Sequence, residues 1–335
     1  MSNKKLGRQT VVFTTPPVII GHGNVVGKKE GEGPMSAQFD YVSQDDYFGE
    51  KSWEKAERSM QELALNNALK NAGKQASDLD FLLAGDLLNQ CISSSFAARS
   101  QEVPFLGLYG ACSTMGESLL LAAMLTDAGY GQLAAAVTSS HFCTAERQYR
   151  SPLEYGGQRP PTSQWTVTGS GSVIVASSGK GPRVTHATVG KIVDKGITDA
   201  NNMGAAMAPA AYDTLRTHFQ DTGRTPADYD LIATGDLGLL GHEIVSDFFS
   251  RDGVNMDNYT DCGLLIYDLK KQDVHCGGSG CGCAASVLTG YLLPGLEQGR
   301  WKRILFCPTG ALLSPTSTQQ GESIPSVCHA VAIEA

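Results

Sequence analysis

Nine cysteines, seven histidines and several glycine-rich turns supply the residue types that could do chemistry in this chain. The tightest grouping is Cys276-x4-Cys281-x-Cys283, which invites a metal. A tetrahedral zinc site takes four ligands, and no second paired cluster at zinc spacing accompanies these three. They read as small side chains packed in a glycine-rich turn, and no metal site is expected. The odd cysteine count on so long a chain suits a reduced compartment better than a disulfide framework. Gly21-His-Gly-Asn-Val-Val-Gly27 lacks the Gly-Lys-Ser/Thr ending of a phosphate loop. Arg147, Arg150 and Arg159 sit on a polar insertion, Glu146–Thr162. Arginine suits bidentate carboxylate recognition, although surface salt bridging is the plainer reading.

The elements that must position such residues occur twice. Gly73–Leu87 aligns with Gly223–Leu237 at a constant offset of 150 residues, with six of fifteen positions identical. Each segment follows a stretch of apolar residues at helical spacing, Glu54–Asn71 and Ala208–Thr222. Gly73 and Gly223 stand where a helix C-cap belongs. Phe81–Ala84 and Leu231–Thr234 then read as buried strands. In the first half, Tyr109-Gly-Ala-Cys112-Ser-Thr-Met-Gly116 opens the helix Glu117–Ala128, followed by the strand Leu133–Ser139. In the second, Gly277-Gly-Ser-Gly280-Cys-Gly-Cys283 opens the helical stretch Ala284–Gln298, which Pro294 should kink or end, before the strand Arg303–Cys307. Ser172–Ala176 and Val327–Glu334 add a strand to each half. The order predicts α/β units with mostly parallel sheets, in two repeats, 1–180 and 181–335. Leu119–Leu125 is apolar around its whole circumference, as a helix between two sheets would be. Two such units sharing central helices make a five-layer α-β-α-β-α sandwich.

Composition narrows the function classes. The 26 Lys+Arg against 34 Asp+Glu leave a net charge of −8, so no basic face exists for non-specific nucleic-acid binding. The 38 glycines exceed the usual share without any collagen-like period. No apolar run approaches the roughly 18–20 residues of a spanning helix. Met1–Thr10 carries Lys4, Lys5 and Arg8 but no apolar segment follows, so no secretory signal is expected.

A duplicated α/β unit with a Gly-Ala-Cys-Ser turn opening a buried helix resembles the thiolase and ketoacyl-synthase superfamily. The match narrows to the stage V sporulation protein AD family of spore-forming bacteria. It is carried by Pro17–Gly23, Tyr109–Glu117, Thr138–Tyr149, Thr234–Gly238, Asp261–Asp268 and His275–Cys283. The resemblance implies a protein that binds dipicolinic acid (pyridine-2,6-dicarboxylic acid), free or with calcium. It would act peripherally at the inner membrane of the forming spore, with membrane-embedded stage V sporulation A proteins as partners. No cofactor is implied beyond Ca²⁺ brought by the ligand. A homodimer would pair through Leu133–Ser139.

The resemblance also places the synthase nucleophile at Cys112. The histidine that follows the second-repeat strand in synthases is replaced by Gly235-Asp236, and His242 lies six residues further on. The third polar position falls within Ser279–Cys281, with His275 and Cys281 as candidates. Without a general base or an oxyanion donor pair turnover should be poor, which makes the chain a binder rather than an enzyme. The alternative is an acyl-CoA-dependent acyltransferase using Cys112. The residues expected to line the pocket are Cys112, Ser113, His141, Asp236, His275, Ser279, Gly280 and Cys281. Thr309 and Gly310, on the Pro308–Ala311 loop, complete the set. Amides at the starts of the two facing helices would hold two carboxylates without net positive charge. Asp236 either meets bound Ca²⁺ or is a structural turn residue like its repeat mate Asp86, and His141 either touches the ligand or is a satisfied loop histidine. Asn201–Met207 either gates the pocket or packs at the start of a helix. Cys262, before an expected strand Leu264–Tyr267, is read as packing.

Overall fold

A computed structural model describes residues 4–149 and 159–335. Arg150, one of the three arginines singled out above, lies outside the described residues. Ten strands form a continuous path made of two five-stranded halves. The first half runs Val18–Val26, Gly169–Ala176, Leu133–Ser140, Phe81–Gly85, Phe105–Gly107. The second runs Arg183–Thr188, Ala330–Glu334, Arg303–Cys307, Leu231–Thr234, Tyr259–Asp261. In each half the first two pairings are antiparallel and the last two parallel. The expectation of mostly parallel sheets is thus corrected to a mixed sheet. The direction in which a strand pairs with its neighbour is not revealed by periodicity alone. The halves meet at one register pair, Val18 opposite Arg183.

Strand alternation explains the layers. Leu83, Ala134, Ala136, Val173 and Val175 point into the same core as Ile304, Phe306, Val331 and Ile333 of the other half. Their alternate neighbours Leu82, Ala84, Ala135, Val137 and Ile174 pack outward onto the helix Trp53–Ala72. In the second half Leu305, Cys307, Ala330 and Ala332 pack outward onto Met203–Thr222 and Gly238–Arg251. Both faces of each half are therefore buried, and the shared inner core holds Met115, Leu119, Leu120 and Ala123 of the helix Thr114–Asp127 and Ala284, Ala285 and Val287 of Cys281–Val287. This is the five-layer arrangement that the apolar run Leu119–Leu125 required.

Gly73 and Gly223 both adopt the left-handed cap, at φ 64° and 67°. Beyond Cys281–Val287 the chain continues through a wider π-type turn, Leu288–Leu292, into Leu293–Glu297. Pro294, which has no N–H to donate, stands at its start. Leu264–Tyr267 is not a strand: Cys262–Leu265 is a short helix capped by Asp261. Leu133–Ser140 pairs on both sides, with Gly169–Ala176 and Phe81–Gly85, so it offers no edge for a dimer. The free edge of the first half is Phe105–Gly107, next to the half-exposed Ile92, Phe96, Leu106 and Tyr109.

Candidate functional site

The site is built from three close approaches. Gly110-Ala-Cys112-Ser113 is a tight turn before Thr114–Asp127, with Ala111 at φ 49°. It is fastened by the Ser113 hydroxyl donating to the Gly110 carbonyl (2.7 Å) and the Thr114 hydroxyl donating to the Ala111 carbonyl (2.6 Å). The strand Thr309–Ala311 presses on that turn: a Cβ at Gly310 would stand 2.2 Å from the Gly110 carbonyl oxygen. Only glycine permits this contact. The third component is Ser279-Gly280-Cys281, where Gly280, at φ 98°, leads into Cys281–Val287.

Asp236 joins all three. Its Oδ1 accepts from the Thr309 hydroxyl (2.9 Å), and its Oδ2 accepts from the Gly280 amide (2.9 Å) and the Ser279 hydroxyl (3.2 Å). The Cys112 thiol faces the same carboxyl. The carboxyl is fully buried, and burial pushes its pKa up to about 7 against the pull of these donors. The reading of Asp236 as a turn residue like Asp86 does not hold, because the two have diverged. Asp86 accepts from the amides of Leu88 and Ser94 and so organises its own turn and the helix Ile92–Arg99. In the second half that duty has passed to Asp261, which accepts from Leu237 and Gly238. Asp236 is freed to face Cys112.

Beside them opens a cavity of about 230 Å³ lined by Cys112, Ser279 and Thr166 together with apolar walls from Leu87, Ala145, Tyr149, Met203, Ala311 and Leu313. Ala111, Glu146, Ala200 and Asn201 complete the lining. Asn201 and Met203 thus reach the pocket from the segment that was open between gating and packing. Tyr149, Leu87, Thr166 and Leu313 carried no signal as pocket residues. Tyr149 closes a motif recognised by resemblance, but nothing in the spacing tells which of its side chains turns inward.

Of the ten expected residues, the structure gathers Cys112, Ser113, Asp236, Ser279, Gly280, Cys281, Thr309 and Gly310 around one point. Of these only Cys112 and Ser279 line the cavity; the other six lie behind its wall, where Ser113 turns its hydroxyl back to Gly110 and the Cys281 thiol donates to the Ser139 carbonyl at 2.9 Å. His141 and His275 belong elsewhere. His141 is buried with Nε2 on the Asp46 carbonyl (2.8 Å) and borders a separate cavity with Lys29, Glu30 and Trp165. The strand before it ends one residue later than expected, at Ser140, and the chain turns away from Cys112. His275 pairs with the exposed Asp273 at 3.5 Å. The amide cluster expected to hold a carboxylate is already occupied. The Gly280 amide serves Asp236, that of Gly282 donates to the Ser140 hydroxyl (3.1 Å), and that of Cys283 to the Gly280 carbonyl (3.0 Å). Arg147 pairs with Glu54 at the surface, and the mostly buried Arg159 pairs with Asp273 and lies over the Trp165 ring. Among the described residues no group of three or more His, Cys, Asp or Glu stands close enough to hold a metal.

Burial, then the charges of Asp236 and Cys281, raise the Cys112 pKa well above its ordinary value, and only the Gly280 amide opposes them. The thiolate is the reactive form. Iodoacetamide at pH 7.5 should therefore alkylate Cys112 at least about tenfold more slowly than free cysteine, read from the labelled tryptic peptide. An equal or faster rate would mark an activated nucleophile.

Comparison with known proteins fits this geometry. Residues 7–334 match the family model for stage V sporulation protein AD. The chain is 47% identical to the stage V sporulation protein AD of Bacillus subtilis (strain 168) over 332 residues, 99% of this chain and 98% of that protein. Among solved structures it is similar to the 3-oxoacyl-[acyl-carrier-protein] synthase III of Aquifex aeolicus VF5, with TM-score 0.59 and 13% identity over 95% of this chain and 100% of that one. It is also similar to Xanthomonas campestris OleA E117D bound with cerulenin, with TM-score 0.62 and 13% identity over 97% of this chain and 98% of that one. At such identities these two likenesses show the fold alone. The whole-length match and the duplicated sandwich together place the chain in the stage V sporulation protein AD family, on a thiolase-like fold.

Proposed function

We propose that the chain binds dipicolinic acid, free or as its calcium chelate, in the Cys112 cavity and does not turn over an acyl substrate. The observation that carries this reading is Asp236. A buried carboxyl held by four donors stands where a thiol nucleophile would need a base, while the cavity beside it is kept open. Such a pocket can enclose a small planar ligand but leaves Cys112 protonated. Because the amides of Gly280, Gly282 and Cys283 are occupied, the ligand's carboxylates are met in this reading by lining groups such as Asn201 and Thr166 rather than by that helix start. Calcium enters, in this reading, already bound by the ligand.

In the cell the protein would serve the uptake or release of that compound at the spore inner membrane, held there by membrane-embedded stage V sporulation A proteins. No helix among the described residues is long and apolar enough to cross a membrane, so attachment would run through partners. A homodimer, if formed, would use the edge Phe105–Gly107, whose unpaired groups need cover. The test is calorimetry with dipicolinate, with and without Ca²⁺, beside incubation with acetyl-CoA and malonyl-CoA. A saturable dipicolinate isotherm and no acyl label on Cys112 are expected. Turnover of an acyl label together with no dipicolinate heat would replace this reading with an acyltransferase.

A further inference from the structure

Tyr149 is the only aromatic residue lining the Cys112 cavity among the described residues. It ends the short helix Phe142–Tyr149, so its Cα is fixed from one side. Its hydroxyl is fixed from the other, donating to the Leu87 carbonyl at 2.5 Å and lying 2.7 Å from the Tyr109 hydroxyl. Gln148 donates to the same carbonyl at 3.0 Å. Leu87 lies in the turn two residues past the buried strand Phe81–Gly85, a turn tied by the Leu88 amide donating to Asp86. Burial keeps the phenol protonated and therefore a donor. A ring held at both ends meets a ligand without losing rotamer freedom. Tyr149 also packs with Leu87, Cys112, Ala145 and Cys281, which sets its side chain against the apolar wall at the Cys112 end. On its other side lies a second cavity of about 390 Å³, lined by Asn89, Gln90, Tyr109 and Pro315, which shares Tyr149 and Leu313 with the first.

We propose that Tyr149 is the specificity-determining residue of this pocket, offering a pinned phenol face that selects a planar aromatic ligand over a saturated ring of the same outline. The inference rests on the reading that the cavity takes a pyridine dicarboxylate. An electron-poor pyridine suits offset stacking on an electron-rich phenol, whereas a puckered ring meets that wall edge-on and leaves a gap. The remaining walls are aliphatic, small and polar, or charged at Glu146, and they offer no second flat face to distinguish planar from puckered.

The experiment titrates dipicolinate and cis-piperidine-2,6-dicarboxylate, its saturated analogue, into the full chain and into Tyr149→Leu and Tyr149→Phe. Wild type should prefer dipicolinate. Tyr149→Leu should bind dipicolinate about three- to tenfold more weakly, the range that aromatic pairing supplies, and should lose most of the preference. Tyr149→Phe keeps the ring without its pin and should retain the preference with a smaller loss of affinity. Its melting temperature should stay close to wild type, which separates recognition from folding. Wild-type dipicolinate binding with an unchanged preference in Tyr149→Leu would overturn the inference alone. Failure of wild type to bind either compound would overturn the dipicolinate reading beneath it.

Discussion

A Cys112→Phe chain should fold and bind no dipicolinate. Cys112 lies at the wall of a cavity of about 230 Å³ but is itself buried, its thiol facing Asp236 and its side chain packed with Leu87, Ala145 and Cys281, so a larger side chain must turn into the cavity. Losing the contact to Asp236 and crowding the wall should cost about 1–3 kcal/mol. The melting temperature should therefore fall by a few degrees, while affinity falls by about a hundredfold or more, because the ligand's own volume is taken. Cys112→Ala is the contrasting variant. It enlarges the cavity and removes the sulfur, yet should keep affinity within about tenfold, since the thiol is proposed to contribute shape rather than a covalent bond. Loss of binding in Cys112→Ala with retention in Cys112→Phe would reverse the assignment. Calorimetry on the two variants decides it.

The second large effect is on stability against pH. The carboxyls of Asp236 and Glu30 are fully buried, and burial raises each to about 7 from ordinary values of 3.8 and 4.5. A raised carboxyl binds its proton more tightly when folded than when unfolded. Its contribution to stability is greatest at acid pH and is lost as pH rises through the folded value. Between pH 6 and pH 8 each group should lower stability by about 1.4 kcal/mol, the linkage value for a carboxyl titrating at the midpoint. Glu57, raised by burial and by the facing Asp86, acts in the same direction. The buried histidines oppose part of this. His186, His218 and His329 are depressed to about 4, 3 and 4 from an ordinary 6.5, so each takes up a proton on unfolding at pH 6 but not at pH 8 and adds back about 0.8 kcal/mol over that interval. The carboxyl losses are the larger sum, so the melting temperature should fall by a few degrees from pH 6 to pH 8. Asp236→Asn should lower stability at pH 6 by about 1–3 kcal/mol, because its amide cannot accept from all the donors around it. It should also flatten the fall toward pH 8 by the share that Asp236 supplies. An unchanged slope in that variant would mean that Asp236 is ionised throughout.

The legible parts of the fold were those with a local cause. Gly73 and Gly223 announced their caps because a left-handed terminus favours a residue without a Cβ. The run Leu119–Leu125 announced a buried layer because no exposed helix tolerates apolar side chains on every face. The 150-residue offset announced the duplication. The antiparallel half of each sheet and the wrong edge, Leu133–Ser139, were illegible for one reason. A continuous apolar run such as Leu133–Val137 says that a strand is buried on both faces, not which strand lies beside it.

The site divides along the same line. Residue types and the repeat determined that Cys112 opens a helix and that Asp236 stands in the turn after the second-half strand; that this turn is where a synthase carries a histidine is what the resemblance implied. Only the tertiary structure decided what Asp236 does. Asp86 and Asp236 occupy equivalent turns with the same Gly-Asp-Leu residues, yet one organises its own backbone and the other faces a thiol. The difference is Asp261, 25 residues downstream, which supplies the acceptor that Asp236 would otherwise have to be. The fate of a buried polar group depends on which partners reach it first, and those partners come from strands far apart in the chain. For the same reason His141 and His275, both plausible by position, find a backbone carbonyl and an exposed carboxylate and never reach the cavity.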